Sequence, residues 1–194
     1  MKQPLIIMLG GSSQIGKSTL AQQIENKITD AFEGVEVVRY SFADPLRSGI
    51  VNLTQAIEAE VRVWEKAGFV DKESLRPLYQ KIADEMKLLF GEDIFAKNIQ
   101  KKIEKKVEEL ENKPLVVIID DLRYRVELST IKRIFIKVHC VEIRWSQKDK
   151  DGNHSSETEL RGAAVWDQQI RIDKPQNLWQ ELEERITSQV RLIL

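Results

Sequence analysis

Short apolar runs alternate with stretches of helical spacing along the chain, the pattern of an α/β protein. Leu5-Ile6-Ile7-Met8-Leu9 is a continuous apolar run ending at Gly10-Gly11, as expected of a strand buried on both faces. Val35 to Phe42, Leu115 to Ile119, Cys140 to Trp145 and the weaker Gln169 to Ile172 are further strand candidates, with Asp120-Asp121 stopping the third. Between them, apolar residues recur mostly every three or four positions: Leu20, Ile24 and Ile28; Leu46 to Trp64; Leu75 to Leu89, with Ser74 as N-cap; Phe95 to Leu110; Val126, Ile131 and Ile134; Leu178 to Ile193. These stripes predict helices that pack one face on a core.

Two segments depart from this plan. Lys97 to Lys113 is crowded with Lys and Glu and reads as a solvated helix face with i,i+4 ion pairs. Ser146 to Gly162 is polar and aperiodic, with Gly152, Asn153 and His154 inside it; its length in a compact fold suggests a lid. The helical stripes of 46–112 read as an insert between the second and third strands. No internal repeat and no Pro- or Gly/Ser-rich linker interrupts the chain, so 1–194 reads as a single domain.

Composition narrows the class. With 194 residues, 42% apolar and 31% charged, the chain is no disordered segment and buries roughly 70% of its unfolded surface. A net charge of −1 argues against nucleic acid as a partner. The lone Cys140 lies in an apolar run and reads as core filling in a reducing compartment. The longest apolar stretch, Pro4 to Leu9, is far short of the ~20 residues that span a bilayer. The expectation is a cytoplasmic protein with no membrane partner.

The strongest chemical signal is Gly11-Ser12-Ser13-Gln14-Ile15-Gly16-Lys17-Ser18, followed by Thr19. It matches the phosphate-loop pattern G-x-x-x-x-G-K-[ST]. Gly11 and Gly16 allow a tight turn that brings backbone N–H groups to phosphate oxygens. The following helix points its N-terminal dipole at the same anion. Lys17 supplies a cation for the β- and γ-phosphates, and Ser18 a hydroxyl for Mg²⁺. A GTPase is disfavoured, because Asn26-Lys27 and Asn112-Lys113 are the only Asn-Lys pairs and neither has Asp two residues on. After the third strand, Asp120 and Asp121 suggest a Walker-B-type role, holding Mg²⁺ through water; helix capping by one of them is the alternative. After the second strand, Asp44 stands at the sheet edge where ligands bind in open α/β folds, or caps the helix that Pro45 begins. His154 reads as surface rather than as a base.

Together these pieces resemble the deoxynucleoside monophosphate kinases of phage type, a family within the P-loop nucleoside monophosphate kinase group. The matching blocks are the phosphate loop, Phe-Ala-Asp-Pro-Leu-Arg at 42–47, Arg-x-x-x-Gln at 76–80, Phe-Gly-Glu-Asp-Ile-Phe at 90–95, Asp-x-Arg-Tyr with a following Glu at 121–127, and His-x-Ser-Glu at 154–157. Animal-type phosphomevalonate kinases are similar at the same blocks. Lys87 stands where the family tends to have arginine, and Asp120 where a small polar residue is commoner. The resemblance implies a three-layer α/β sandwich around a five-stranded parallel sheet of order 2-3-1-4-5, with a helical acceptor-binding insert and a lid over 146–162. It implies transfer of the γ-phosphoryl group of ATP, with Mg²⁺, to a deoxynucleoside monophosphate. Phosphomevalonate or another small phosphorylated acceptor, and a non-catalytic ATP-binding regulatory module, are the alternatives. The donor site would be 11–19, with Lys17, Asp44, Asp121 and Arg123 catalytic and Ser18 and Asp121 serving the metal. Asp44 would orient the acceptor sugar or a metal-bound water. Arg47, Arg76, Lys87 and Arg123 would hold the acceptor phosphate, and Arg144, Lys148 and Arg161 would close over the γ-phosphate. The partners expected are small-molecule nucleotides and, as an option, a second copy of the chain.

Overall fold

The computed structural model describes residues 3–12, 15–46, 49, 76–145, 159–160, 163–172 and 178–193. Five strands form one sheet: β1 (Leu5–Gly10), β2 (Glu36–Tyr40), β3 (Leu115–Leu122), β4 (Val138–Trp145) and β5 (Gln168–Ile172). Their order is β2-β3-β1-β4-β5, and every neighbouring pair is parallel. The helices that flank it include α1 (Lys17–Ala31), α2 (Arg76–Phe90), α3 (Ile94–Glu109), α4 (Arg125–Ile134) and α5 (Leu178–Arg191). The α/β class, the all-parallel sheet and the strand order are those expected.

Strand alternation divides the apolar residues into two cores. Leu5, Ile7, Leu9, Val116, Ile118, Val141 and Ile143 face α1 and α5, where Leu20, Ile24, Ile28, Leu182, Ile186 and Val190 meet them. Ile6, Met8, Leu115, Val117, Ile119 and Cys140 face the other way, against Phe95, Ile99, Ile103, Leu128 and Ile131. β1 is buried along its whole length because both faces and both edges are covered. Cys140 is core filling, and burial pushes its thiol up to about 12.

Several elements differ from the sequence expectation. β2 ends at Tyr40 rather than Phe42, and β3 runs on through Asp120, Asp121 and Leu122. The helical stripes are narrower than the spacing suggests: Leu89 and Ile134 are exposed. The charged helix α3 carries the expected i,i+4 pairs, Lys97 with Asp93 and Lys105 with Glu109. Of the 46–112 segment, α2 and α3 are described and 50–75 lie outside the described residues; so do the lid residues 146–158, 161 and 162. Among the described residues no helix is long and apolar enough to cross a membrane.

Ile118 is fully buried in β3, between β1 and β2. Ile118→Ala is expected to cost about 2–5 kcal/mol, read as a lower urea midpoint at unchanged slope; a loss under about 1 kcal/mol contradicts this placement of the core.

Candidate active site

Because the sheet is all parallel, the C-terminal ends of its strands share one edge, and the loops there build the site. β1 ends at Gly10, beside Glu142 of β4 and Leu122 of β3. The chain then turns through Gly11 with φ 126, a conformation that L side chains rarely adopt. A Cβ on Gly11 would strike the carbonyl oxygen of Ile143, and one on Gly10 would strike the Trp166 ring. Gly11 therefore lies directly on β4. Gly16 (φ 96) starts α1 with no side-chain cap, and a helix start without such a cap suits an anion. Ile15 anchors the loop in the core, and the Lys17 ammonium folds back to donate to the carbonyls of Gly11 (2.8 Å) and Ser12 (2.6 Å). Ser18 and Thr19 are exposed at the helix start; Ser13 and Gln14 lie outside the described residues.

At the end of β3 the pairing with β1 slips. Met8 faces Ile119 but Gly10 faces Leu122, so Asp120 and Asp121 together oppose Leu9 in a bulge, a device that re-aims side chains next to sites. Asp121 turns into the structure, where its carboxylate accepts hydrogen bonds from the Ser41 hydroxyl (2.5 Å), Phe42 N–H (2.7 Å) and Ala43 N–H (3.1 Å). Burial pushes its pKa up, and the three donors oppose that shift. Asp120 is half-buried and makes no hydrogen bond among the described residues. In the loop that Asp121 holds, Asp44 accepts from Ser41 N–H (2.8 Å), closing a turn of the kind short polar side chains favour. Arg47 lies outside the described residues.

Beyond Leu122, Glu127 caps the start of α4. Its Oε2 accepts from the backbone N–H groups of Arg123 and Tyr124, both at 2.9 Å. Glu159, within the β4–β5 connection, accepts from Arg125 N–H (2.7 Å). Glu127 thus bonds the backbone beside Arg123. Its carboxyl is pushed up to about 8, first by burial, then by the charge of Asp121. Above Tyr124 sits Lys87 of α2, 9% exposed, its ammonium 3.5 Å from the ring centre. Among the described residues Lys87 makes no ion pair and no hydrogen bond. Arg123 is half-buried and makes a contact of its own. Arg76 begins α2.

On β4, Arg144 pairs with buried Glu142, Nη2 to Oε2 at 3.0 Å. Arg161, Lys148 and His154 lie outside the described residues. The structure thus joins Asp44 to Asp121 through Ser41, and Lys87 to Arg123 through Tyr124, whose backbone shares Glu127 with that of Arg123. Glu142 was missed by the sequence reading. Its signal was present, an acidic residue inside the apolar run Cys140-Val141-Glu142-Ile143.

No family model matches the chain, and no curated protein matches it. Among solved structures, a gluconokinase from Sinorhizobium meliloti is 14% identical with TM-score 0.37, over 100% of this chain and 95% of that one. A sugar kinase from Janibacter is 14% identical with TM-score 0.39, over 97% and 95%. A shikimate kinase from Bacteroides thetaiotaomicron is 12% identical with TM-score 0.35, over the same shares. Likeness at this level carries no functional argument.

Glu127 yields a pH prediction. Its folded pKa of about 8 lies above the ordinary 4.5, so over that range the folded state holds a proton that the unfolded state releases. Its stabilising share is full below about 4.5 and is lost as pH rises through about 8. In metal-free protein the urea midpoint of wild type is expected to fall relative to Glu127→Gln over this window. Parallel profiles for the two proteins contradict the assignment.

Proposed function

We propose that the protein transfers the γ-phosphoryl group of ATP to a small phosphorylated acceptor, a deoxynucleoside monophosphate. One observation carries the reading. Two cation sites start from paired residues on neighbouring strands: the phosphate loop with Lys17 follows Gly10, while the Arg123–Tyr124 turn under Lys87 follows Leu122, the residue opposite Gly10. The charges of Lys87 and Glu127 interact, but the two make no ion pair among the described residues, and a buried ammonium is costly unless an anion meets it. Kinases acting on a phosphorylated acceptor need such a second cation site, because two phosphate groups must approach each other.

Lys17 and the N–H groups of the loop would hold the donor phosphates, Lys17 leaving the Gly11 and Ser12 carbonyls for them. Lys87 and Arg123, with Arg47 and Arg76, would hold the acceptor phosphate so that its oxygen attacks the γ-phosphorus in line and ADP leaves. Asp44 would orient the acceptor sugar or a metal-bound water. Mg²⁺ takes hard oxygen donors and keeps several waters; the Ser18 hydroxyl and the Asp120–Asp121 pair fit that need, and the ion would supply charge neutralisation between the phosphates. Asp120 is the better placed of the two to bind a metal water, since the oxygens of Asp121 already take three donors. The 146–162 segment with Arg144, Lys148 and Arg161 would exclude water over the γ-phosphate.

The test is ADP release across a panel of monophosphates: the four deoxynucleotides, their ribonucleotide counterparts and phosphomevalonate. Release that depends on a deoxynucleotide supports the reading. Release only with phosphomevalonate moves the acceptor, and ATP binding without acceptor-dependent release favours a binding module. Lys17→Ala is expected to abolish transfer with little change in melting temperature. Lys87→Met is expected to raise the acceptor KM by about 10–100-fold while leaving ATP affinity unchanged. An unaltered acceptor KM in folded Lys87→Met contradicts the acceptor-site assignment.

A further inference from the structure

We propose that Glu142 is a positioning residue that holds the Arg144 guanidinium beside the phosphate loop, so that its outer edge reads the terminal phosphate of the donor nucleotide. The inference rests on the donor-site reading above. Glu142 is 4% exposed, yet it lies within a strand whose neighbours Val141 and Ile143 are core. Both of its oxygens are committed: Oε1 to Arg144 Nη2 (3.2 Å), Oε2 to the same nitrogen (3.0 Å) and to Gln169 Nε2 (2.8 Å). Gln169 sits directly across from Glu142 on β5. The carboxylate is therefore held from one side by the neighbouring strand while it pairs with Arg144.

The position matters because of what lies on the other side of β4. Glu142 is paired in register with Gly10, the last residue of β1. Gly11, the first glycine of the loop, packs its Cα against the Ile143 carbonyl. Arg144 is the next β4 residue on the Glu142 face, one step beyond that contact. A buried ion pair is weak evidence for stability, since an apolar pair of like volume serves a core as well or better. Its use here is geometric. Only Nη2 of Arg144 is engaged, and Nε and Nη1 make no hydrogen bond among the described residues. A planar guanidinium pinned at one nitrogen presents a second edge suited to bidentate contact with phosphate. Preorganisation of that edge is what an exposed arginine lacks.

The test is calorimetric titration of the full chain with ATP and with ADP, in Mg²⁺ buffer, for wild type, Glu142→Gln, Arg144→Ala, Arg144→Lys and the Glu142→Gln/Arg144→Ala double variant. The preference for ATP over ADP is expected to fall about tenfold in Glu142→Gln and in Arg144→Ala, with ADP affinity unchanged. The double variant is expected to lose no more than either single, because both act through one guanidinium. A folded Glu142→Gln with the full ATP preference, or an additive double variant, overturns the positioning role and leaves the donor site standing. Wild type that binds neither nucleotide overturns the donor-site reading and this inference with it. Should Glu142→Gln fail to fold, Arg144→Lys decides: lysine keeps the pair with Glu142 but lacks the second edge, so the ATP preference must fall, and an unchanged preference overturns the proposal.

Discussion

Asp121 joins two parts of the molecule that are 80 residues apart in sequence, because its side chain accepts from Ser41, Phe42 and Ala43. A carboxylate buried this deeply is tolerable only when hydrogen bonds replace the water it has lost. The geometry of the loop after β2 therefore follows from the end of β3, and the Ser41–Asp44 turn follows from that loop. The bulge opposite Leu9 is what makes it work. With unbroken register, the side chains of 120 and 121 would alternate between the two cores; the extra residue turns Asp121 toward the loop and leaves Asp120 half-buried at the edge.

The same economy governs the whole edge. Of the eight buried polar or charged residues among those described, six (Lys17, Ser41, Lys87, Asp121, Glu127 and Glu142) lie at or against the C-terminal ends of the strands; Thr130 and His139 lie elsewhere. Burying charge costs free energy, and a fold that needed only a stable core would spread or avoid it. Here it is concentrated where the apolar layers open. Backbone N–H groups satisfy the buried carboxyl groups: Glu127 takes two from the start of α4, and Asp121 takes two from the loop after β2. The cations are held otherwise, Lys17 by carbonyls and Lys87 by an aromatic face. Carbonyls and a ring attract a cation without neutralising it.

How much of this was legible depended on the range of the interactions involved. β1, the turns at Gly11 and Gly16 and α1 were readable because each rests on local chemistry: a continuous apolar run, two glycines with positive φ, and a stripe at helical spacing. The strand order came from resemblance, since periodicity says nothing about which strands are neighbours. The end of β3 was misread because two successive aspartates look like a strand stop, and only pairing with β1 and the donors of residues 41–43 make them part of a strand. Glu142 was passed over because a single acidic residue in a strand ordinarily faces solvent; its burial is visible only once β5 brings Gln169 across from it. Leu89 and Ile134 fit their stripes in spacing but stand on exposed helix ends.

The central claim is that the phosphate loop and the Lys87–Arg123 turn form one bipartite anion site. The most direct measurement is calorimetric titration with a bisubstrate analogue, adenosine joined to a deoxynucleoside through an oligophosphate bridge. The account predicts one analogue per chain, bound at least about tenfold more tightly than ATP because the second contact is intramolecular. Affinity is expected to drop in both Lys17→Ala and Lys87→Met. An analogue that binds no better than ATP and is indifferent to Lys87→Met would contradict the claim.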